Sequence, residues 1–257
     1  MPTHSEHDGP LNVLLLAGTA EAGALDRALA NEPRFRVTVS LAGVTRQAKG
    51  FVASVRSGGF GGAEGFAAYL RDEGVDVVIN ATHPFAARMS RTVTGVTGDM
   101  ALPMVRLLRP PWTQPTPAEW IAAADLAEAA RLLPEDATGF LALGQRHLAA
   151  FRGHPARLVV RSLEPPPADL LPDASWIIGP PGKTEAEEAR LLAETGTTHL
   201  VARNSGGSAG WAKIAAAGAA GLPVIMIARP QPAAQNVLET VPEVLAWLDG
   251  LQTGRGG

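Results

Sequence analysis

The chain of 257 residues contains no cysteine. Disulfides, thiolate zinc sites and cysteine nucleophiles are therefore excluded. Strong charge of either sign is also missing: the net charge is −3, which gives no reason to expect nucleic acid as a partner. No apolar run approaches the ~20 residues of a membrane span, and Met1 to Pro10 is polar, without an apolar signal core. The expectation is a soluble cytoplasmic protein with no membrane contact. The histidines (His4, His7, His83, His147, His154, His199) are scattered, so a metal site has little support. Without Gly-x-x-x-x-Gly-Lys-Ser/Thr a phosphate-splitting P-loop is not expected, and Asn204-Ser205-Gly206-Gly207 lacks the Gly that precedes the serine of a nucleophile elbow, which weakens a hydrolase reading.

What is present is ample apolar material: 46% of residues are hydrophobic and 18% charged, a balance that supports a buried core. The organising stretch is Asn12 to Ala22. Val13 to Ala17 is continuously apolar, as suits a strand buried on both faces of a parallel sheet. Gly18-Thr19 turns the chain, and Glu21 to Asn31 reads as a helix with Ala22, Leu25 and Leu29 on one side. Strand, glycine turn and helix open a nucleotide-binding βαβ unit, in which N–H groups at the helix start can hold a phosphate. The Gly-x-Gly-x-x-Gly fingerprint is incomplete, reading Gly18, Ala20, Gly23.

Further along, Phe35 to Leu41 alternates as a second strand. At its carboxyl end, where a dinucleotide's adenosine ribose lies, stand Ser40, Ala42, Gly43, Thr45 and Arg46 and no acid. That set favours NADP over NAD, because an Arg there accepts the 2′-phosphate; the alternative is that Arg46 is an ordinary loop cation. Ser57 to Gly62 places Gly58, Gly59, Gly61 and Gly62 around Phe60, just before a helix from Ala63 to Glu73. It reads as a ligand-facing loop at a second helix N-terminus. Val75 to Asn80 is a buried strand ending in Ala81-Thr82-His83-Pro84, and residues just past such an end face the ligand crevice. His83 is expected first to hydrogen-bond the ligand; it is also the candidate proton donor, with water or ring nitrogens of the substrate as the alternative sources.

After a strand at Pro103 to Leu108, four prolines within Arg109 to Pro117 mark a stiff crossover and a domain boundary. The second half repeats the alternation. Strands are expected at Gly139–Leu143, Arg157–Leu163, Ser175–Ile178, Thr198–Ala202 and Pro223–Ala228. Helices are expected at Leu126–Leu133, Thr184–Glu194, Trp211–Ala220 and Val241–Leu251. Strands alternating with helices in two blocks predict an α/β protein of two Rossmann-like parallel-sheet halves with a ligand cleft between them. The expected domains are 11–110, the NADP-binding half, and 118–251, the half contributing the substrate site.

Several pieces together carry a resemblance. They are Leu16 to Ala22, Ser40-Leu41-Ala42-Gly43, Gly58 to Gly62, Asn80 to Ala86, Arg161 to Pro166, Asn204 to Gly207 and Leu222 to Pro230. In this order the chain resembles the precorrin-6A reductases (cobalt-precorrin-6A reductases) of cobalamin biosynthesis, from about residue 12 to 248. The resemblance implies NADPH-dependent reduction of one ring double bond of precorrin-6A, a tetrapyrrole. Three positions depart from the family pattern: Ala17 for a second Gly, Gly179-Pro180-Pro181 for Gly-Pro-Phe, and Arg203 for Lys. The last keeps the charge and removes an easily titrated amine.

On this reading Gly18, Thr19, Ala20, Glu21 and Ala22, with Gly59, Phe60, Gly61 and Gly62, hold the cofactor's pyrophosphate. Ser40 to Arg46 hold the adenosine 2′-phosphate, and Asn80, Ala81, Thr82 and His83 the ribose–nicotinamide end. A flat ring bearing many carboxylates calls for cations and backbone N–H groups. The candidates are Arg203, Lys213, Arg229 and the Asn204, Ser205, Gly206, Gly207 turn, with Arg146 and Arg88 behind them. Competing functions are an NADP-dependent reductase of a smaller metabolite, a nucleotide-binding sensor without chemistry, and a double-Rossmann transferase of the glycosyltransferase kind.

Overall fold

The structure is a computed structural model that describes residues 9–42, 50–115, 118–232 and 236–253. The chain forms two compact units, Met1–Arg109 with Pro230–Gly257, and Pro110–Arg229.

The first unit begins with β1 (Leu11–Leu16), α1 (Ala20–Leu29) and β2 (Phe35–Leu41). It continues with β3 (Ser54–Ser57), α2 (Ala63–Asp72), β4 (Val77–Asn80), α3 (Ala87–Asp99) and β5 (Met104–Leu107). The second unit runs β6 (Trp120–Ala123), α4 (Leu126–Leu132), β7 (Thr138–Ala142), β8 (Arg157–Ser162), β9 (Ser175–Ile178), α5 (Glu185–Glu194), β10 (His199–Arg203), α6 (Trp211–Ala219) and β11 (Val224–Ile227). The chain then returns to the first unit as β12 (Val237–Leu238) and α7 (Val241–Thr253).

Each unit holds a six-stranded sheet, ordered β12-β5-β4-β1-β2-β3 in the first and β6-β11-β10-β7-β8-β9 in the second. Every strand pair is parallel. The strand order reverses beside β1 and β4 in one sheet and beside β7 and β10 in the other, and such switch points leave a crevice at the strand carboxyl ends.

Alternation along β1 builds the first core. Val13 and Leu15 pack with Leu25 and Leu29 of α1 and with Val244 and Leu248 of α7. Leu14 and Leu16 face the other way, onto Phe66 and Leu70 of α2 and Val93 of α3. Each such side chain, buried from water, stabilises the fold by about 1.5–3 kcal/mol, which is why the central strands carry unbroken apolar runs. In the second unit Phe140, Val159, Leu200 and Val224 pack under Leu192 of α5 and Ile214 of α6. Among the described residues no helix is long and apolar enough to cross a membrane.

The expected range 118–251 runs past the second unit's last residue, Arg229. Val237 and Leu238 of β12 pair with Arg106 and Leu107 of β5, and Val244 and Leu248 are wholly buried in the first unit's core. The amphipathic pattern of α7 specifies that one face is buried, not which sheet it covers. β3, β6 and β12 are absent from the sequence reading. They are short edge strands, and β3 carries no fully buried residue.

Candidate functional site

In the first unit, β1 ends against its neighbours: the Ala17 N–H donates to Ser40 O and the Ala81 N–H to Leu16 O, both at 2.9 Å. Gly18 makes the approach of the next turn possible, since a Cβ there would stand 3.2 Å from His83 N. Thr19 caps α1 by accepting from the Ala22 N–H at 3.3 Å, while its hydroxyl donates to Ala81 O at 3.1 Å. This one side chain ties the first helix start to the end of β4. Glu21 in the first turn of α1 pairs with Arg109 at 2.7 Å, which offsets a negative charge where an anion would otherwise be repelled.

The glycine loop has left-handed backbone at Gly58, Gly61 and Gly62, with φ of 109°, 78° and 99°, and a Cβ at any of these or at Gly59 would meet open space. Phe60 at its centre packs edge-on to Phe66 and Tyr69, centroids 4.8 and 5.1 Å apart. The aromatic therefore anchors the loop to α2 while the glycines leave its backbone open. Gly65, in the first turn of α2, lies directly under the loop: a Cβ would fall 1.8 Å from Phe60 O. Gly62 gives α2 no side-chain cap, which leaves N–H groups of its first turn as anion donors.

These strand ends and loops enclose a cavity of about 420 Å³, lined by Ala17, Ser40, Ala42, Gly58 to Gly62, Thr82 and the residues leading into α3 from Phe85 to Met89. The volume is that of a ligand pocket. A glycine cradle open to a Cβ and a helix start without a cap fit a dinucleotide. Ala17, Ser40, Ala42, Gly59, Phe60, Gly61, Gly62 and Thr82 thus share one cavity, and Arg88, expected on the substrate side, lies in the same lining. Gly43, Thr45 and Arg46 lie outside the described residues.

Beneath the cavity a buried polar network ties Asn80, Thr82 and His83 to Arg106, a residue absent from the sequence reading of the site. Arg106 of β5, 3% exposed, donates to Asn80 Oδ1 at 2.5 Å and Thr82 Oγ1 at 2.8 Å. It also donates to the backbone oxygens of Thr82 at 3.2 Å and His83 at 3.3 Å. Its planar fork fixes the 80–83 turn. His83 Nδ1 accepts from the Phe85 N–H at 3.3 Å, so the neutral ring carries its proton on Nε2. The signal available for Arg106 was an arginine inside an otherwise apolar strand.

In the second unit the strand ends carry cations. Arg203, last residue of β10, donates to His147 Nε2 at 2.9 Å. Burial, then the charges of Arg203 and Arg146, hold the His147 ring below its ordinary range, so it is neutral and accepting at pH 7. Arg146 itself is exposed. Lys213 in the first turn of α6 donates to Gly210 O at 2.8 Å and stands 5.4 Å from the Trp112 ring centroid. Its ammonium is lowered to about 8, chiefly by burial and next by Arg161. Arg161 of β8 pairs with Glu188 at 2.7 Å, their side chains 8% and 1% exposed. The same Glu188 oxygen accepts from the Gly182 N–H at 2.6 Å, so one carboxylate orients both the arginine and the 179–183 turn. Arg161, Lys213, Ser162, Leu163 and Gly179 line a cavity of about 160 Å³. Arg161 and Glu188 were also missed, although Arg161 sits in a strand as anomalous as that of Arg106.

The Asn204 to Gly207 turn holds the crossover. The Trp112 N–H donates to Asn204 Oδ1 at 2.7 Å, Asn204 Nδ2 donates to Trp112 O at 3.0 Å, and Trp112 Nε1 donates to Gly207 O at 2.7 Å. Ser205 closes a tight turn onto Arg203 O at 2.7 Å. Arg229 donates to Asn204 O at 2.7 Å and Pro110 O at 3.0 Å. The structure therefore gathers Arg203 and Lys213 near Arg161, and places Asn204, Gly207 and Arg229 on the 110–112 segment. Among the described residues no group of three or more His, Asp or Glu side chains could hold a metal ion.

Comparison with known proteins gives a consistent result. The family model described as "Precorrin-6x reductase CbiJ/CobK" matches residues 12–249. A precorrin-6A reductase of Rhodococcus erythropolis is 40% identical over 93% of this chain and 98% of its own length. One of Mycobacterium tuberculosis is 39% identical with the same coverage, and a cobalt-precorrin-6A reductase of Priestia megaterium is 27% identical. A solved structure titled CobK precorrin-6A reductase superposes with a TM-score of 0.87 at 38% identity, covering 93% of this chain and 96% of that one. With two parallel six-stranded sheets and a family match over nearly its whole length, the chain belongs to the precorrin-6x reductase family.

Proposed function

We propose that the first unit holds NADPH and the second holds carboxylates of precorrin-6A. The family makes the chain an oxidoreductase that reduces precorrin-6A in cobalamin biosynthesis; the cofactor identity and the residue roles are our reading, as is a cytoplasmic setting. When bound, NADPH supplies the hydride for one ring double bond, and a proton completes the dihydro product.

The single observation that carries the cofactor assignment is the glycine-lined cavity at the switch point of the first sheet. Gly18, Gly61 and Gly62 let backbone N–H groups approach a pyrophosphate, and the Arg109–Glu21 pair removes a repulsive charge from that end. Thr82, held by Arg106, and Ala81, held by Leu16 and Thr19, serve the ribose–nicotinamide end. His83 orients the ligand there; a role as proton donor requires that His83→Ala lose the single-turnover rate.

In the second unit Arg203 and Lys213 supply positive charge beside the Arg161–Glu188 pair, and Leu163 and Ile178, exposed at 67% and 50%, offer apolar surface at the ends of β8 and β9. Cations beside exposed apolar side chains suit a flat ring edged with carboxylates. Relatives near 40% identity carry the cobalt-free substrate in their names, which supports precorrin-6A itself as the substrate. Anaerobic incubation with precorrin-6A and NADPH tests the function. Stoichiometric oxidation of NADPH, with a product heavier by one hydrogen molecule, is expected; no oxidation with precorrin-6A, or oxidation by simple carbonyls instead, contradicts it.

A further inference from the structure

We infer that Arg56 reads the 2′-phosphate that distinguishes NADPH from NADH. The inference rests on the reading that the first unit holds a nicotinamide dinucleotide. In a doubly wound sheet the adenosine ribose lies past the carboxyl end of the second strand, where an acid selects the free 2′-hydroxyl and an arginine the phosphate. Here β2 ends in Ser40-Leu41-Ala42 and offers no carboxylate. The neighbouring edge strand β3 places Arg56 in register with Ser40.

The guanidinium of Arg56 is fixed from several sides. Nη1 donates to Ser40 Oγ at 2.7 Å and to Gly58 O at 3.1 Å, and Nη2 donates to Gly59 O at 3.2 Å. The fork lies 3.9 Å from the Phe60 ring centroid and 5.0 Å from that of Tyr69. Among the described residues no carboxylate pairs with it. These bonds satisfy Nη1 and one hydrogen of Nη2, which leaves Nε–H and the second Nη2–H as donors. Ser40 is 4% exposed and lines the cavity. Because its oxygen accepts from Arg56, its hydroxyl proton is left to donate to a ligand. An immobilised cation without a counter-charge, beside a hydroxyl at the ribose position, is preorganised for a phosphate monoester. The glycine loop is thereby coupled to the same group, since Arg56 holds two of its carbonyl oxygens.

The test is equilibrium binding, by titration calorimetry on the whole chain, of NADPH and NADH and of 2′-phospho-ADP-ribose and ADP-ribose, which lack the reacting ring. The wild type is expected to prefer the phosphorylated member of each pair. Arg56→Gln should cut that preference about 10- to 100-fold, the loss of one charge-assisted contact, and Arg56→Lys should restore part of it. Equal weakening of both members, with the ratio unchanged in Arg56→Gln, overturns the inference and leaves Arg56 as a strut of the glycine loop. A wild type that binds both members equally overturns the NADPH reading itself, and the inference with it.

Discussion

Beyond β1 and β4 of the first unit stand Gly18, Thr19 and Thr82, and Thr82 shares one cavity with the open glycine loop of 58–62. At the equivalent ends of the second unit stand His147 past β7, Arg203 closing β10, and the Asn204 turn after it. Both sheets present the same reversal of strand order, so topology supplies a crevice twice. The residues that fill it differ in kind. The first site recognises with backbone dipoles and small side chains around about 420 Å³. The second uses fixed, partly desolvated cations around about 160 Å³. Glycine permits close approach to a pyrophosphate, whereas carboxylates at a ring edge call for arginine and lysine.

The largest effects expected are a pair of opposed lesions. Gly65→Ala puts a Cβ 1.8 Å from Phe60 O, and Gly206→Ala puts one 2.0 Å from Pro110 O at a φ of +63°. Gly65→Ala should weaken cofactor binding by more than about 100-fold while sparing precorrin-6A binding, and Gly206→Ala should do the reverse, through backbone strain of several kcal/mol. Titration calorimetry of each variant with each ligand checks this, and crossed results would break the division of labour. Next, Arg203→Ala should raise the KM for precorrin-6A about 10- to 100-fold and leave the NADPH Kd unchanged.

Lys213 sharpens the comparison through pH. Burial disfavours its charged form, so the ammonium is present below about 8 and lost above it. Precorrin-6A affinity should therefore be level on the acid side and fall as pH rises through about 8, and Lys213→Arg should abolish that step. The NADPH Kd should show no such step. The smallest effect is Arg109→Ala, which leaves Glu21 unneutralised at the start of α1 and should weaken NADPH about 2- to 10-fold, the size of a partly buried pair.

The parts legible in the sequence were those with a strong local signal. β1, β4, β10 and β11 are apolar runs because both faces are buried. Gly18 stands out because it breaks an apolar run where a helix pattern begins, and the 58–62 loop because glycine in that density has no packing use. The parts that escaped depend on partners far along the chain. β12 pairs with β5 across more than half the sequence, and two residues of strand carry no periodicity. Arg56, Arg106 and Arg161 each sit in a strand, where an isolated arginine reads as an exception to burial. Only the fold shows that Arg106 grips the 80–83 turn and that Glu188 orients Arg161. Asn204 and Arg229 read as substrate ligands from their neighbourhood, and only the fold shows that both also hydrogen-bond the 110–112 crossover.

Amide hydrogen exchange on the whole chain with and without NADP, measured before any substrate is added, tests the central claim most directly. Protection confined to 18–22, 58–66 and 80–83, with 203–213 unchanged, is the result predicted. Protection that falls on 203–213 and leaves the glycine loop untouched would contradict it.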